Sequence, residues 1–264
     1  MSLASLAVRF ATIRALKGRT LAGENVFDSS IKAIDMLAAS RTTPFVVVTT
    51  DDDQVAIEGR DLLAGDHRLE LVIEIAVARK VKFENGEEEL TISANDGGLE
   101  ATLNILGWQI ARELAAAGGE WGDLWRSLVM RVHSIASRRG ADDTNGVRYA
   151  ARQYVYTIDH IAEPLPGAAP ADGDAWARII SALKADSEFS AIGQIIEAEI
   201  AAGELQPWER VRAALGLADD EAEWISNRPF EDGAPLAAID LPDGFTIDAQ
   251  TAADADGPEG EGAA

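Results

Sequence analysis

The chain has no cysteine, three histidines among 264 residues, and half as many basic as acidic side chains. Without cysteine there is no disulfide framework and no thiolate metal site, which fits an intracellular home. Three histidines spread over His67, His133 and His160 are too few for an obvious metal motif. The 23 Lys and Arg face 45 Asp and Glu, a net charge of −22. Such a balance argues against general binding to nucleic-acid phosphates, which needs clustered cations. It suits solubility or a surface that repels DNA. A long apolar N-terminal run is also missing, because Arg9, Arg14 and Lys17 interrupt it. The expectation is a protein without signal peptide or membrane span.

The charge is unevenly spread. Residues 163–264 carry five basic residues against 22 acidic ones, a net −17, leaving −5 for residues 1–162. An ordinary, near-balanced domain is thus followed by an acidic appendage.

Residues 68–79 (RLELVIEIAVAR) carry the clearest pattern in the chain. Leu69, Leu71, Ile73, Ile75 and Val77 share one face, and Arg68, Glu70 and Glu74 share the other with Val72, Ala76 and Ala78. Alternation at period two predicts a strand, extending over about 67–82. Its sheet is expected to pack helices on the greasy face and to turn the charged face to water or another subunit.

Around it, 4–17 reads as an amphipathic helix stopped by Gly18. Asn25–Asp28 is expected as a short strand, and 30–39 as a short helical or irregular piece. Pro44 opens a β-branched strand that Asp51–Asp53 end, with an extra or edge strand over Val55–Asp61. Asn85–Gly86 marks a hairpin tip. Leu99, Leu103, Leu106, Ile110 and Leu114 lie on one face of a helix that starts after Asp96. A second helix is expected over Trp121–Arg138, with Leu124, Leu128, Val132 and Ile135 inward, followed by a loop over Asp142–Gly146. Arg148–Ile161 is a Tyr-, Val- and Ile-rich strand. Beyond the prolines of 163–171, residues 173–185, 189–202 and 206–225 read as helices, and disorder is expected from about 250. There is no internal repeat. The fold class is α+β: one sheet of about four mostly antiparallel strands, with helices on one face and an acidic helical C-terminal extension. The expected division is 1–162 as the α+β domain, 163–171 as linker, 172–230 as helical extension and 231–264 as irregular tail.

No catalytic set stands out. Asp51–Asp53, with Asp28, Glu70 and Glu74, imitates a Mg-dependent nuclease site, but the lysine expected shortly after the second acid is missing, since Glu74 is followed by I-A-V-A. A solvated acidic loop is the better reading. His133 reads as mid-helix surface, and His67 and His160 as strand ends. Gly97–Gly98 lacks the third glycine of a dinucleotide loop and the lysine of a phosphate loop. Trp108, Trp121 and Trp125 read as core or subunit-contact residues. Arg138–Arg139, at a predicted helix C-terminus, complements the helix dipole. No cofactor or metal is expected.

An N-terminal helix, a V-F-D strand (Val26–Asp28), a Pro-led strand running into acids (Pro44–Asp53), a long amphipathic strand (His67–Val81), a helical pair and a closing Tyr-rich strand (Arg148–Ile161) follow in that order. This order resembles the tail terminator, or minor tail protein U, family of long-tailed bacteriophages and related gene-transfer particles, over residues 4–161. Residues 162–264 depart from it, the usual member being about half this length. The resemblance implies a non-enzymatic virion protein. A homohexameric ring would cap the tail tube, end its polymerisation, join head-completion proteins and let DNA pass without specific binding, after assembly in the host cytoplasm. Rival readings are another neck component, such as a head-completion or stopper protein, a nuclease using Asp51–Asp53, and an unrelated binding module. Arg138–Arg139 of one copy against Asp51–Asp53 of the next is the candidate subunit contact.

Overall fold

The computed structural model describes residues 2–29, 43–57, 63, 65–80, 96–116, 118–144 and 147–202, with 209, 212, 215–218, 221, 239–240 and 246–247 beyond them. The readings for 30–39, the hairpin tip at 83–90, most of 206–225 and the chain beyond 250 lie outside these residues.

The order is α1 (Leu3–Leu16), β1 (Val26–Asp28), β2 (Phe45–Ala56), β3 (Asp66–Lys80), α2 (Asp96–Ala115), α3 (Glu120–Leu128), β4 (Val129–Thr144), β5 (Val147–His160), α4 (Ala175–Ala185) and α5 (Ser190–Ala201). Five strands form one sheet in the order β1-β2-β3-β5-β4, parallel at β1–β2 and antiparallel elsewhere. The α+β class is therefore as expected, with one strand more than anticipated. A compact unit spans Met1–Leu217. In Ala218–Ala264, β6 (Ile239–Asp240) pairs antiparallel with β7 (Thr246–Ile247). No helix among the described residues is long and apolar enough to cross a membrane.

Ser2 caps α1 by accepting the Ser5 N–H at 2.9 Å. The Glu163 carboxylate, just beyond β5, accepts from Leu3 N at 2.9 Å and Ala4 N at 3.2 Å. An anion there satisfies orphan donors and opposes the positive helix end. Gly18, at φ 71°, ends the helix in the left-handed conformation that glycine adopts without strain.

Ala7, Phe10, Ile13 and Leu16 of α1 pack with the α2 stripe Leu103–Leu106–Ile110–Leu114 and with Val46, Val48, Leu71, Ile73 and Ile75 of the sheet. Burying such side chains is worth about 1.5–3 kcal/mol each. Trp176, Ile179 and Leu183 of α4, Phe189, and Ile196 and Ile200 of α5 belong to the same core. Residues 163–171, read as a linker, thus join elements of one core, and Gly167 N donates to Ile200 O at 2.8 Å.

Three local expectations are corrected. The helix expected over Trp121–Arg138 ends at Leu128, and the chain turns into a strand at Val129. Leu124 and Leu128 are inward as expected, but Val132 and Ile135 are exposed on that strand. The cause lies in β4. Register shifts between Val129 and Arg131 and between Val132 and Ser134 break its alternation. Apolar residues at 128, 132 and 135 then imitate helical spacing. Asp142–Thr144, read as loop, also belongs to β4. Second, Asp51–Asp53 do not end β2, which continues to Ala56. Third, the sheet face carrying Glu70 and Glu74 is not wholly open: Phe45, Val47, Val72, Ala76 and Ala151 are buried on it.

Candidate functional site

Two features of the sheet merit functional weight: its β4 edge and a polar cluster at the end where β2, β3 and β5 meet.

β4 pairs only with β5, so its other edge is unpaired within the described residues. Every residue from Met130 to Gly140 is exposed. Met130 is 73% exposed, Ile135 52% and Val132 42%. On α2, Trp108 is 63% exposed, with the Arg112 guanidinium 5.2 Å from its ring centre. Trp121 is half-buried and Trp125 buried, so the core reading of these tryptophans holds for Trp125 and fails for Trp108.

Arg138 and Arg139 lie on β4, not at a helix end, so the helix-dipole account of them falls. Arg139 Nε bonds Glu100 at 2.5 Å, and Arg152 Nη2 bonds the same carboxylate at 2.8 Å. Arg138 pairs in register with Gln153 and is exposed. β2 and β4 are separated by β3 and β5 in the sheet. Asp51–Asp53 and Arg138–Arg139 are thus on separate strands with two others between them.

The second feature depends on a bulge. Thr50 pairs with Leu71, and the next matched pair is Asp53 with Leu69, so β2 carries one extra residue. Asp51 and Asp52 are exposed, while Asp53 turns to the helix-bearing face. His67 shares that face two residues before Leu69, and His160 shares it two residues after Ile158, which pairs with Leu69.

Three residues from three neighbouring strands consequently meet. His67 Nδ1 lies 3.4 Å and His160 Nε2 3.9 Å from Asp53 Oδ1. The imidazole centres are 4.6 Å apart. His67 and His160 are buried, at 6% and 3% exposure, and the Asp53 side chain is 14% exposed. His160 Nδ1 is 2.7 Å from the Ile161 carbonyl, so it carries the proton and donates it there. Burial pushes the His160 pKa below its ordinary value. Asp53 Oδ2, His67 Nε2 and His160 Nε2 have no hydrogen-bond partner although buried.

The nuclease set does not assemble. Asp28 is paired with Arg9 at 2.8 Å, Asp51 and Asp52 point to solvent, and Glu74 on the other sheet face accepts from Gln153 at 3.1 Å. His133, read as mid-helix, lies on β4 with Nε2 2.6 Å from Asp159 Oδ2. Reading His67 and His160 as isolated strand ends missed their meeting with Asp53.

No family model matches the chain, and no curated protein matches it. Among solved structures, a chain from the virion of a native gene transfer agent particle is similar over 59% of this chain and 93% of that one, at 14% identity and a TM-score of 0.27.

Proposed function

We propose that this protein is a structural component of a virion that assembles through its β4 edge into a ring capping a tail tube. The observation that carries the reading is the 16-residue edge strand, exposed from Met130 to Gly140 and holding Met130, Val132 and Ile135. A long edge with apolar side chains templates further strand pairing, and monomeric proteins normally blunt it. Arg131, Arg138 and Arg139 interrupt the edge with charge, which favours one complementary partner over indiscriminate aggregation. A head-to-tail contact between this edge and a different patch of the next copy closes into a ring when the rotation allows.

The order of elements supports the finer reading, a tail terminator that ends tube polymerisation and offers a platform to head-completion proteins. The net charge of −22 suits a channel through which DNA slides without sticking. Arg138–Arg139 against Asp51–Asp52 of a neighbouring copy remains the proposed polar contact, now without Asp53, whose carboxylate faces inward.

Negative-stain electron microscopy of the full chain, alone and with tail-tube protein, tests this. Closed rings, or tubes capped at one end, are expected. Ile135→Lys is expected to keep the wild-type melting temperature and to abolish rings, since residue 135 touches solvent in the monomer. A wild-type protein that stays monomeric and never touches tubes refutes the proposal. Rings that bind head-completion protein but not tubes move the reading to a neighbouring neck component.

A further inference from the structure

From the cluster of Asp53, His67 and His160 we infer that the chain binds one divalent transition-metal ion, of which Zn²⁺ is the representative. The ligands are a carboxylate oxygen of Asp53, a ring nitrogen of His67 and Nε2 of His160. The ion ties β2, β3 and β5 together at one end of the sheet.

The candidate ligand atoms all lie within 4.8 Å of one another. Around a tetrahedral ion with bonds of about 2.0–2.1 Å, neighbouring ligand atoms stand about 3.4 Å apart. The Asp53–His67 separation is 3.4 Å and the Asp53–His160 separation 3.9 Å. The first is long for an N–H···O bond, whose usual range is about 2.7–3.2 Å, and it suits two atoms sharing an ion.

The orientation of His160 points the same way. Its Nδ1 donates to the Ile161 carbonyl at 2.7 Å, and this fixes the ring with Nε2 facing the Asp53 carboxylate at 3.9 Å, too far for a direct hydrogen bond and close enough to share an ion. At metal sites a ligating histidine usually donates its other ring nitrogen to a carboxylate, a backbone carbonyl or a water, and this fixes the ring. Buried polar atoms without a partner are destabilising, and Asp53 Oδ2, His67 Nε2 and His160 Nε2 all lack a hydrogen-bond partner. Two imidazoles and one carboxylate suit zinc or another first-row ion rather than Mg²⁺ or Ca²⁺, which prefer oxygen ligands. The site is separate from the β4 edge, so the inference stands apart from the ring.

The test uses the full chain stripped with chelator and dialysed into metal-free buffer. Titration with Zn²⁺ by calorimetry is expected to show one ion per chain. Co²⁺ is expected to give visible absorption bands that Zn²⁺ then displaces. His160→Gln and His67→Gln are expected to weaken Zn²⁺ binding by roughly a hundredfold or more. His133→Gln, which removes the exposed histidine outside the cluster, is expected to leave binding unchanged. Circular dichroism reports whether each variant is folded, and the wild-type titrations require no variant. Absence of stoichiometric Zn²⁺ and Co²⁺ binding by the folded wild type overturns the inference. So does binding that survives both cluster variants, or that only His133→Gln removes.

Discussion

Replacing Asp186 by alanine asks whether the segment beyond β5 folds with the first 160 residues. Asp186 follows α4, and its Oδ1 accepts from Glu188 N at 2.8 Å and Phe189 N at 3.1 Å, just before α5. The same oxygen is bonded by the Arg14 guanidinium from α1, whose side chain is only 13% exposed. Arg14 also lies over the Phe189 ring, 4.7 Å from its centre, and keeps Glu188 at 3.0 Å. Losing the two N–H bonds costs about 1 kcal/mol each. Losing the charge-assisted bond costs about another 1 kcal/mol, because Glu188 still compensates Arg14. The expected loss is about 3 kcal/mol at pH 7, or about 6–12 °C in melting temperature for a unit of this size. Asp186→Asn keeps the acceptor oxygen and should lose about half as much. Burial pushes the Asp186 carboxyl up, but the bonds from Glu188, Arg14 and Phe189 outweigh it, and its pKa lies below the usual value of 3.8. A depressed carboxyl stabilises the fold above its unfolded pKa, and that stability is lost as pH falls through the folded value. The gap between wild type and Asp186→Ala should therefore be full at pH 7 and shrink below about pH 4. Calorimetry should show one transition moving as a whole. A double-mutant cycle with Arg14→Ala should give at least about 0.5 kcal/mol of coupling. A shift under 1 °C, or a separate small transition with the main one unmoved, would refute the view that α1, α4 and α5 share one cooperative core.

Other consequences follow from packing and burial. At Gly193 an added Cβ would stand 2.8 Å from the Lys184 backbone nitrogen and 2.9 Å from Leu183 Cβ. Gly193→Val should force α4 and α5 apart and cost about 2–3 kcal/mol in urea denaturation, and a cost below about 0.5 kcal/mol would contradict that close approach. Burial, with Tyr154 beside it, pushes the Tyr156 phenol up to about 12. In an ultraviolet titration of the native chain, one of its three tyrosines should remain un-ionised at pH 11 and be released in urea. A phenol raised in the fold stabilises it below pH 10 and loses that effect as pH rises toward 12. Three tyrosines titrating together near pH 10 in the folded protein would count against it.

Much of the fold was legible because two patterns are nearly unbroken. β3 carries an apolar residue at every second position from Leu69 to Val77, and α2 holds five apolar residues on one stripe, all buried. The α3–β4 junction was not legible. Its two bulges give a strand the spacing of a helix, and only pairing with β5 decides between them. β2 was cut short for a related reason. Three consecutive aspartates resemble a loop, but a bulge lets two of them face water while the strand continues.

The polar cluster illustrates a signal that was present and not used. His67 has the parity of Leu69, Leu71 and Ile73, and His160 that of Tyr156 and Ile158. A histidine on the inward parity of a strand is committed to burial, and a buried imidazole needs a partner for each nitrogen. The two histidines are far apart in sequence, so nothing local joins them. Once β3 and β5 are paired antiparallel in this register, both fall at one end of the sheet, beside β2. Unshifted pairing would set Asp52 opposite Leu69. The extra residue sets Asp53 there instead, leaving Asp51 and Asp52 at the surface. A bulge that delivers one acid to two buried imidazoles, in a chain with only three histidines, is better explained by a ligand they share than by packing, since an apolar side chain at any of the three positions would fill the space without leaving polar atoms unpaired.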